Sequence, residues 1–400
     1  MNPLLNLARA HDVFGAADLD AIMATTHANV RYLSGFVGFG QRLMPSTQVY
    51  ALARLDRLEE PVVVLPAGEL DMWAQFPPDR ATLSPYGRFF VEVAEGVTDG
   101  QMLSDEIGRY RTLAADNVEA TSLAAITSEL DSLGSRGRVG LDERGISAAA
   151  RDELRSRYGD RLVDAAAMFD QVRMVKTPEE IRRLTRATVV IEAAYQRAIA
   201  GAREGMTEAE MAMIFDGETI RLGCEPVFTV IAFGDRSALP NAMPGNRKLY
   251  PGDIIRFDIG CRSDGYHSDI ARTAIFGEVS AKQRDYYHAI LEGEKRAIER
   301  VQAGVPANEI FRAAVAATRK AGIAHYRRHH VGHGIGLDVY DLPILNETTE
   351  TPLEPGMVLE VETPYYELGF GGLQVEDTIL VTGEGHQRLT GSSSELALVG

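Results

Sequence analysis

The stretch Ile254-Ile255-Arg256-Phe257-Asp258-Ile259-Gly260, continued by Arg262-Ser263-Asp264-Gly265 and then by Tyr266 to Phe276, reads as strand, turn, strand. The first run is short and rich in β-branched and aromatic residues, the break is turn chemistry, and the third run resumes an extended pattern. Asp269 lies in that third run, within Ser268-Asp269-Ile270-Ala271-Arg272-Thr273, eleven residues after Asp258. A hairpin folds back on itself, so the two carboxylates can face each other across the ladder on one side of a sheet. Like charges opposed in this way repel unless a proton or a cation lies between them. Hard divalent cations take carboxylate oxygens, so a metal resolves the conflict.

Further ligands follow downstream. His333 lies in Gly332-His333-Gly334-Ile335-Gly336-Leu337, Glu362 in Val358-Leu359-Glu360-Val361-Glu362-Thr363-Pro364, and Glu376 in Leu373-Gln374-Val375-Glu376-Asp377. The last two repeat the first arrangement: an apolar strand carrying an acid, a Gly-rich connection from Gly369 to Gly372, and a second strand carrying an acid. A single Asp on a strand is ordinarily solvated or bonded to turn amides, and a Gly-His-Gly is ordinarily conformational. Two hairpins with two carboxylates each, plus one imidazole, form a set of five ligands, enough for a dinuclear site with bridging carboxylates.

These five segments resemble the metal ligands of the methionine aminopeptidase, aminopeptidase P and prolidase family, the pita-bread metallohydrolases. The resemblance covers residues 170 to 390 and rests on Asp258, Asp269, His333, Glu362 and Glu376 in order, with their flanks. It extends to the N-terminal part, where Asn29-Val30-Arg31-Tyr32-Leu33-Ser34-Gly35-Phe36 looks like the start of the creatinase/prolidase N-terminal domain. Arg173-Met174-Val175-Lys176-Thr177-Pro178-Glu179-Glu180-Ile181 resembles the beginning of that family's catalytic domain. The implied fold is a creatinase-like α/β N-terminal domain over residues 1–168, then an α+β pita-bread catalytic domain over 169–400 with a curved, mostly antiparallel sheet.

The pattern of elements agrees with that division. Before residue 165, Leu19 to Ala24, Gln48 to Leu55, Pro61 to Leu65 and Arg138 to Asp142 are candidate strands, and Ser147 to Tyr158 is a helix. This is an α/β pattern without a phosphate loop. Thr177-Pro178-Glu179-Glu180 is a capping box with Pro at the first helical position, and Ile181, Leu184, Ile191, Tyr195 and Ile199 follow at helical spacing. Thr207 to Glu210 and Ser280 to Gln283 begin further helices, and Asn308 to Lys320 forms another. Helix, helix, hairpin occurs twice, which predicts two acidic hairpins side by side in one sheet with helices on its outer face.

The family resemblance implies two divalent ions (Mn, Fe, Co or Zn) that activate water as a bridging hydroxide and polarise a carbonyl. It assigns Glu362 both a ligand role and the transfer of a proton from water to the leaving nitrogen. His329, four residues before His333, matches a family histidine, while His330 is expected to be a packing or solvent residue. Two further family histidines are replaced by Asn241 and Tyr340, and a basic residue before the last glutamate by Gln374. Tyr and Asn still donate hydrogen bonds but do not titrate near pH 7. The expected site is therefore Glu362, His329 and Tyr340 for catalysis, Asn241 and Gln374 for substrate. The expected activity is hydrolysis of an amide bond in a dipeptide or short peptide, of the Xaa-Pro dipeptidase or aminopeptidase type. The alternative is a small non-peptide substrate, handled by a C–N hydrolase of creatinase or ectoine hydrolase type or by a metal-dependent lyase.

Composition narrows the setting. The formal charge of −16 and the lack of a Lys/Arg stripe exclude a nucleic-acid surface. An apolar fraction of 45% suits globular domains with real cores. Cys224 and Cys261 have no zinc-type spacing and point to a reducing compartment. No leader pattern and no long apolar run occur, so a cytoplasmic protein without membrane partners is expected. The family resemblance adds a homodimer.

Overall fold

The computed structural model describes residues 4–44, 46–94, 104–114, 118–134 and 137–400. Its internal contacts divide the chain between Val172 and Arg173 into two compact units.

Among the described residues the N-terminal unit is built on a six-stranded sheet. Its strands are β1 (Ala21–Ala24), β2 (Tyr50–Arg54), β3 (Val62–Pro66), β4 (Thr82–Tyr86), β5 (Val139–Leu141) and β6 (Leu162–Asp164), in the order β4-β3-β2-β1-β5-β6. Pairing is antiparallel from β1 to β3 and parallel elsewhere. β4 and β6 lack a clear apolar run and were not legible as strands. Asn29 acts inside this unit: its amide donates to the buried Asp142 carboxylate at 2.7 Å, and Thr26 donates to the same oxygen. The motif from Asn29 to Phe36 thereby ties a helix to the end of β5.

The C-terminal unit carries the larger sheet. Its strands are β7 (Glu225–Phe233), β8 (Ile254–Ser263), β9 (Tyr266–Phe276), β10 (His330–Gly334), β11 (Asp341–Asn346), β12 (Val358–Glu362), β13 (Tyr365–Glu367), β14 (Gly371–Leu373), β15 (Glu376–Thr382), β16 (Gly385–Arg388) and β17 (Ala397–Val399). The main order is β11-β10-β12-β15-β9-β8-β7, with β16 on β15, β17 on β9, and β13–β14 as a separate ribbon. All pairings are antiparallel except β17 with β9.

Helices cover one face of this sheet in two pairs. Pro178–Ala200 and Glu208–Arg221 pack on β7 to β9 through Ile191, Tyr195, Phe215, Phe257 and Ile259. Ala281–Arg300 and Ala307–Ala321 pack on β10, β12 and β15 through Ile290, Ile310, Val331, Leu359 and Ile379. Three of the four start on reciprocal capping boxes, Thr177 with Glu180, Thr207 with Glu210 and Ser280 with Gln283. The alternate residues of the same strands point to the uncovered face, and there the acids collect.

Two details differ from the expected hairpins. Asp269 pairs with Gly260, and Asp258 with Ala271, so the two aspartates are diagonal neighbours on one face rather than directly opposed. The β-strand period of two keeps both on that face, while the turn at Asp264-Gly265 sets the offset. In the second pair, Glu362 lies directly opposite Glu376, but the β13–β14 ribbon is inserted between the two strands. The hairpins meet at a single register pair, Glu376 with Ala271. Arg272, 1% exposed, clamps this junction by donating to the Glu376 carbonyl at 2.6 Å and to Asp377 Oδ1 at 2.7 Å.

Candidate metal centre

Asp269 from β9, His333 from β10 and Glu376 from β15 each offer a ligand atom within 4.8 Å of the others. All three side chains are buried, and Asp269 Oδ2 lies 3.9 Å from His333 Nε2. Asp269 Oδ1 is buried without a hydrogen-bond partner among the described residues. His333 points Nδ1 at the Gly334 carbonyl, 2.9 Å away, which leaves Nε2 toward the acids. That is how a second interaction orients a ligating imidazole. Burial pushes His333 down to about 4, so it is neutral at pH 7 as a ligand must be.

Asp258 and Glu362 line the same cavity, of about 250 Å³, but their oxygens are turned to protein partners. Arg256, two residues before Asp258 on β8 and fully buried, approaches Asp258 Oδ2 at 3.2 Å. Glu362 Oε2 accepts from Gln374 Nε2 at 3.3 Å, and Oε1 lies 3.2 Å from His330 Nδ1. Arg256 also donates to Gln374 Oε1 at 2.9 Å, as does the Tyr366 hydroxyl at 3.1 Å. The cation that Gln374 seemed to lack is thus supplied from the neighbouring hairpin.

The electrostatics are those of acids crowded out of water. Burial first, and then neighbouring carboxylates, hold Asp269 and Glu376 well above the usual range. Burial likewise raises Asp258 against the pull of Arg256, and pushes Glu362 up to about 7 against Arg328. A fifth acid adds to the crowding: Glu360, fully buried on β12 opposite His333, also raises Asp269. Buried carboxylates at this density need a positive charge among them. The bare Asp269 oxygen, the neutral imidazole and the all-carboxylate remainder fit a divalent cation.

One expected residue is corrected. His329 is exposed and does not line the cavity, whereas His330 does, and its ring faces that of Tyr340 at 5.9 Å. The four-residue spacing from His329 to His333 misleads because the segment is a bulged strand. The register shifts between His330 and His333, and Gly332 takes φ +136° where a Cβ would strike the Glu360 backbone. The bulge turns residues three apart to one face. Asn241 and Tyr340 line the cavity, with Tyr340 56% exposed and stacked on His333 at 3.7 Å and 21°.

Arg256, Arg328 and Tyr366 were missed. Arg256 carried a signal, since it alternates with Asp258 and so shares its face. Arg328 and Tyr366 carried none, because Arg328 reaches the cavity from a connection and Tyr366 from the short β13–β14 ribbon.

Comparisons with known proteins place the chain among metallopeptidases. Residues 182–383 match the model of metallopeptidase family M24, and residues 6–175 match the creatinase/prolidase N-terminal domain. An Xaa-Pro dipeptidase of Pyrococcus furiosus is 37% identical over 231 residues, 57% of this chain and 66% of the relative. One of Pyrococcus horikoshii is 36% identical over 56% of this chain and 65% of its own length. The match thus spans just under two thirds of these relatives. A putative dipeptidase of Bacillus subtilis is 31% identical over 65% of this chain and 73% of its own. The solved prolidase of P. horikoshii superposes with a TM-score of 0.76 at 25% identity, covering 98% of this chain and 99% of the other. The larger sheet is accordingly the curved sheet of the pita-bread fold.

Proposed function

The chain belongs to metallopeptidase family M24, and from that premise we propose that it hydrolyses the amide bond of dipeptides or short peptides, with Xaa-Pro dipeptides as the leading substrates. The observation that carries this reading is the convergence of Asp269, His333 and Glu376 within 4.8 Å, with Asp258 and Glu362 on the same wall. The named relatives support the substrate class.

Asp258, Asp269, His333, Glu362 and Glu376 would hold two divalent ions, drawn from Mn, Fe, Co or Zn. Bound there, such ions supply Lewis acidity and a nucleophilic water at neutral pH. The residues of the chain do the rest. Glu362 takes the proton of the attacking water on a carboxylate oxygen and hands it to the leaving nitrogen. Gln374 and His330, on its two oxygens, fix the orientation of that carboxylate. Arg256 holds Gln374 in turn. Tyr340 and Asn241 stand on the open side of the cavity, where they donate hydrogen bonds to the substrate carbonyl. Tyr340 also covers one face of His333 and keeps water from it.

The reading includes a homodimer, on the family resemblance alone, and a cytoplasmic setting, supported by two buried free cysteines, Cys224 and Cys261. Among the described residues no helix is long and apolar enough to cross a membrane.

Two measurements test the proposal. Elemental analysis after supplementation with Mn, Fe, Co or Zn should find two ions per chain, and a panel of Xaa-Pro and Xaa-Ala dipeptides should be cleaved with preference for proline. Protein that binds no ion refutes the metallohydrolase reading. Metal-loaded protein inert to the whole panel refutes the peptidase and leaves the small-molecule alternative. His330→Ala should lower kcat/KM about 10- to 100-fold, the range for groups that orient a ligand, whereas His329→Ala should leave it unchanged.

A further inference from the structure

Arg328 belongs to two cavities. Besides the acidic one, it lines a cleft of about 340 Å³. The helix Ala307–Ala321 contributes Arg312, Val315, Ala316 and Arg319, positions that share one helical face. Arg327 and Arg328 come from the connection just before β10. Glu347, past the end of β11, is the acid on this wall.

The arginines are poorly satisfied by the protein. Among the described residues Arg312 and Arg327 make no hydrogen bond and no ion pair. Arg319 gives its Nε to the Tyr326 carbonyl at 2.9 Å, which places a guanidinium without neutralising it. Arg328 has a buried Nε without a partner and lies over the Tyr366 ring at 5.7 Å. The chain has 57 acids and 41 Lys and Arg residues, so carboxylates to pair with these four were available in excess. Arg312, Arg319 and Arg327 face the one carboxylate of Glu347 on this wall and repel one another, while Arg328 also answers Glu362 in the acidic cavity; the repulsion is offset when an anion enters. Guanidinium forks match the oxygens of phosphate in pairs, and the apolar floor of Phe311, Val315 and Ala316 suits an organic substituent.

We infer that this cleft is a binding site for a small phosphate-class dianion, separate from the acidic cavity and joined to it through Arg328. Inorganic phosphate and an organic monophosphate share the recognised group. The apolar floor favours the organic form.

Calorimetric titration of the full chain at fixed ionic strength tests this, with inorganic phosphate, phenyl phosphate and sodium chloride as separate titrants. The chain is used as purified and again after EDTA, so that phosphate held by a metal is not counted. Both phosphates should bind saturably at one site per chain, with Kd below about 1 mM and with phenyl phosphate the tighter, and binding should survive EDTA. Arg312→Gln combined with Arg327→Gln should weaken it about tenfold or more. That variant leaves the acidic cavity intact, so its dipeptidase activity should be unchanged. Heats that never saturate, heats matched by chloride, affinity abolished by EDTA, or affinity unchanged in the double variant would each overturn the site. None of these outcomes depends on whether the chain cleaves peptides.

Discussion

Two regions of the C-terminal unit bury acids, and they do so in opposite ways. Around Asp341 the protein supplies its own cations. Arg173 Nη2 lies 2.6 Å from Asp341 Oδ1 and Lys176 Nζ 3.5 Å from Oδ2, with both bases buried. Nearby, Glu180 accepts from the Thr177 amide at 2.7 Å and the Tyr266 hydroxyl at 3.0 Å. In the acidic cavity, Asp269, Glu376 and the neutral His333 have no such base among them, and Arg256 is committed to Asp258 and Gln374. The first cluster is complete without a ligand. The second holds more buried acids than Arg256 and Arg328 offset, and that deficit distinguishes a binding site from a structural ion network, although both are buried and both contain acids.

The largest expected effect breaks the second cluster. Asp269→Asn or Glu376→Gln should cost about 10³-fold in kcat/KM, comparable with losing a principal electrostatic stabiliser. In metal-free protein the same substitutions should raise the melting temperature, because they remove a charge that only a cation offsets. If the metal-free variants melt lower than the parent, the cavity acids are structural and the contrast fails.

Next, Asp341→Ala should destabilise the fold by about 3–5 kcal/mol in chemical denaturation, since it removes the carboxylate beside the buried Lys176 and one of the two acids paired with Arg173. A loss below about 1 kcal/mol would mean that solvent already screens this network.

The smallest effect sharpens the boundary between the two clusters. Burial pushes Glu180 up to about 7 from an ordinary value of 4.5. Because the folded value is the higher, its contribution is fully present below pH 4.5 and is lost as pH rises toward 7. Glu180→Gln keeps the capping geometry, so it should flatten the stability profile between those limits and be the more stable form above pH 7. Parallel profiles for the two proteins would show that Glu180 is ionised throughout.

Much of this was legible in the chain itself. Asp258, Asp269, Glu362 and Glu376 could be placed on strands, and on shared faces, because strand periodicity is local and strict. The capping boxes at Thr177, Thr207 and Ser280 announced helix starts for the same reason. What escaped was set by partners distant in the chain. His329 was preferred to His330 because a bulge made by Gly332 against Glu360 changes which side chains share a face, and no local pattern encodes that contact. Gln374 looked like a lost base until Arg256, 118 residues away, was found beside it. β4 and β6 follow from their neighbours in the sheet more than from their own residues.

By itself the chain determined the kinds of ligand, their order, and the alternation of helices and acidic strands, since residue type and period act over a few positions. Only the tertiary structure decided which imidazole faces Glu362, which guanidinium steadies Gln374, and that four arginines share one cleft. Those outcomes depend on register, bulges and the meeting of two hairpins at one pair of residues, and such long-range packing leaves no mark on neighbouring positions.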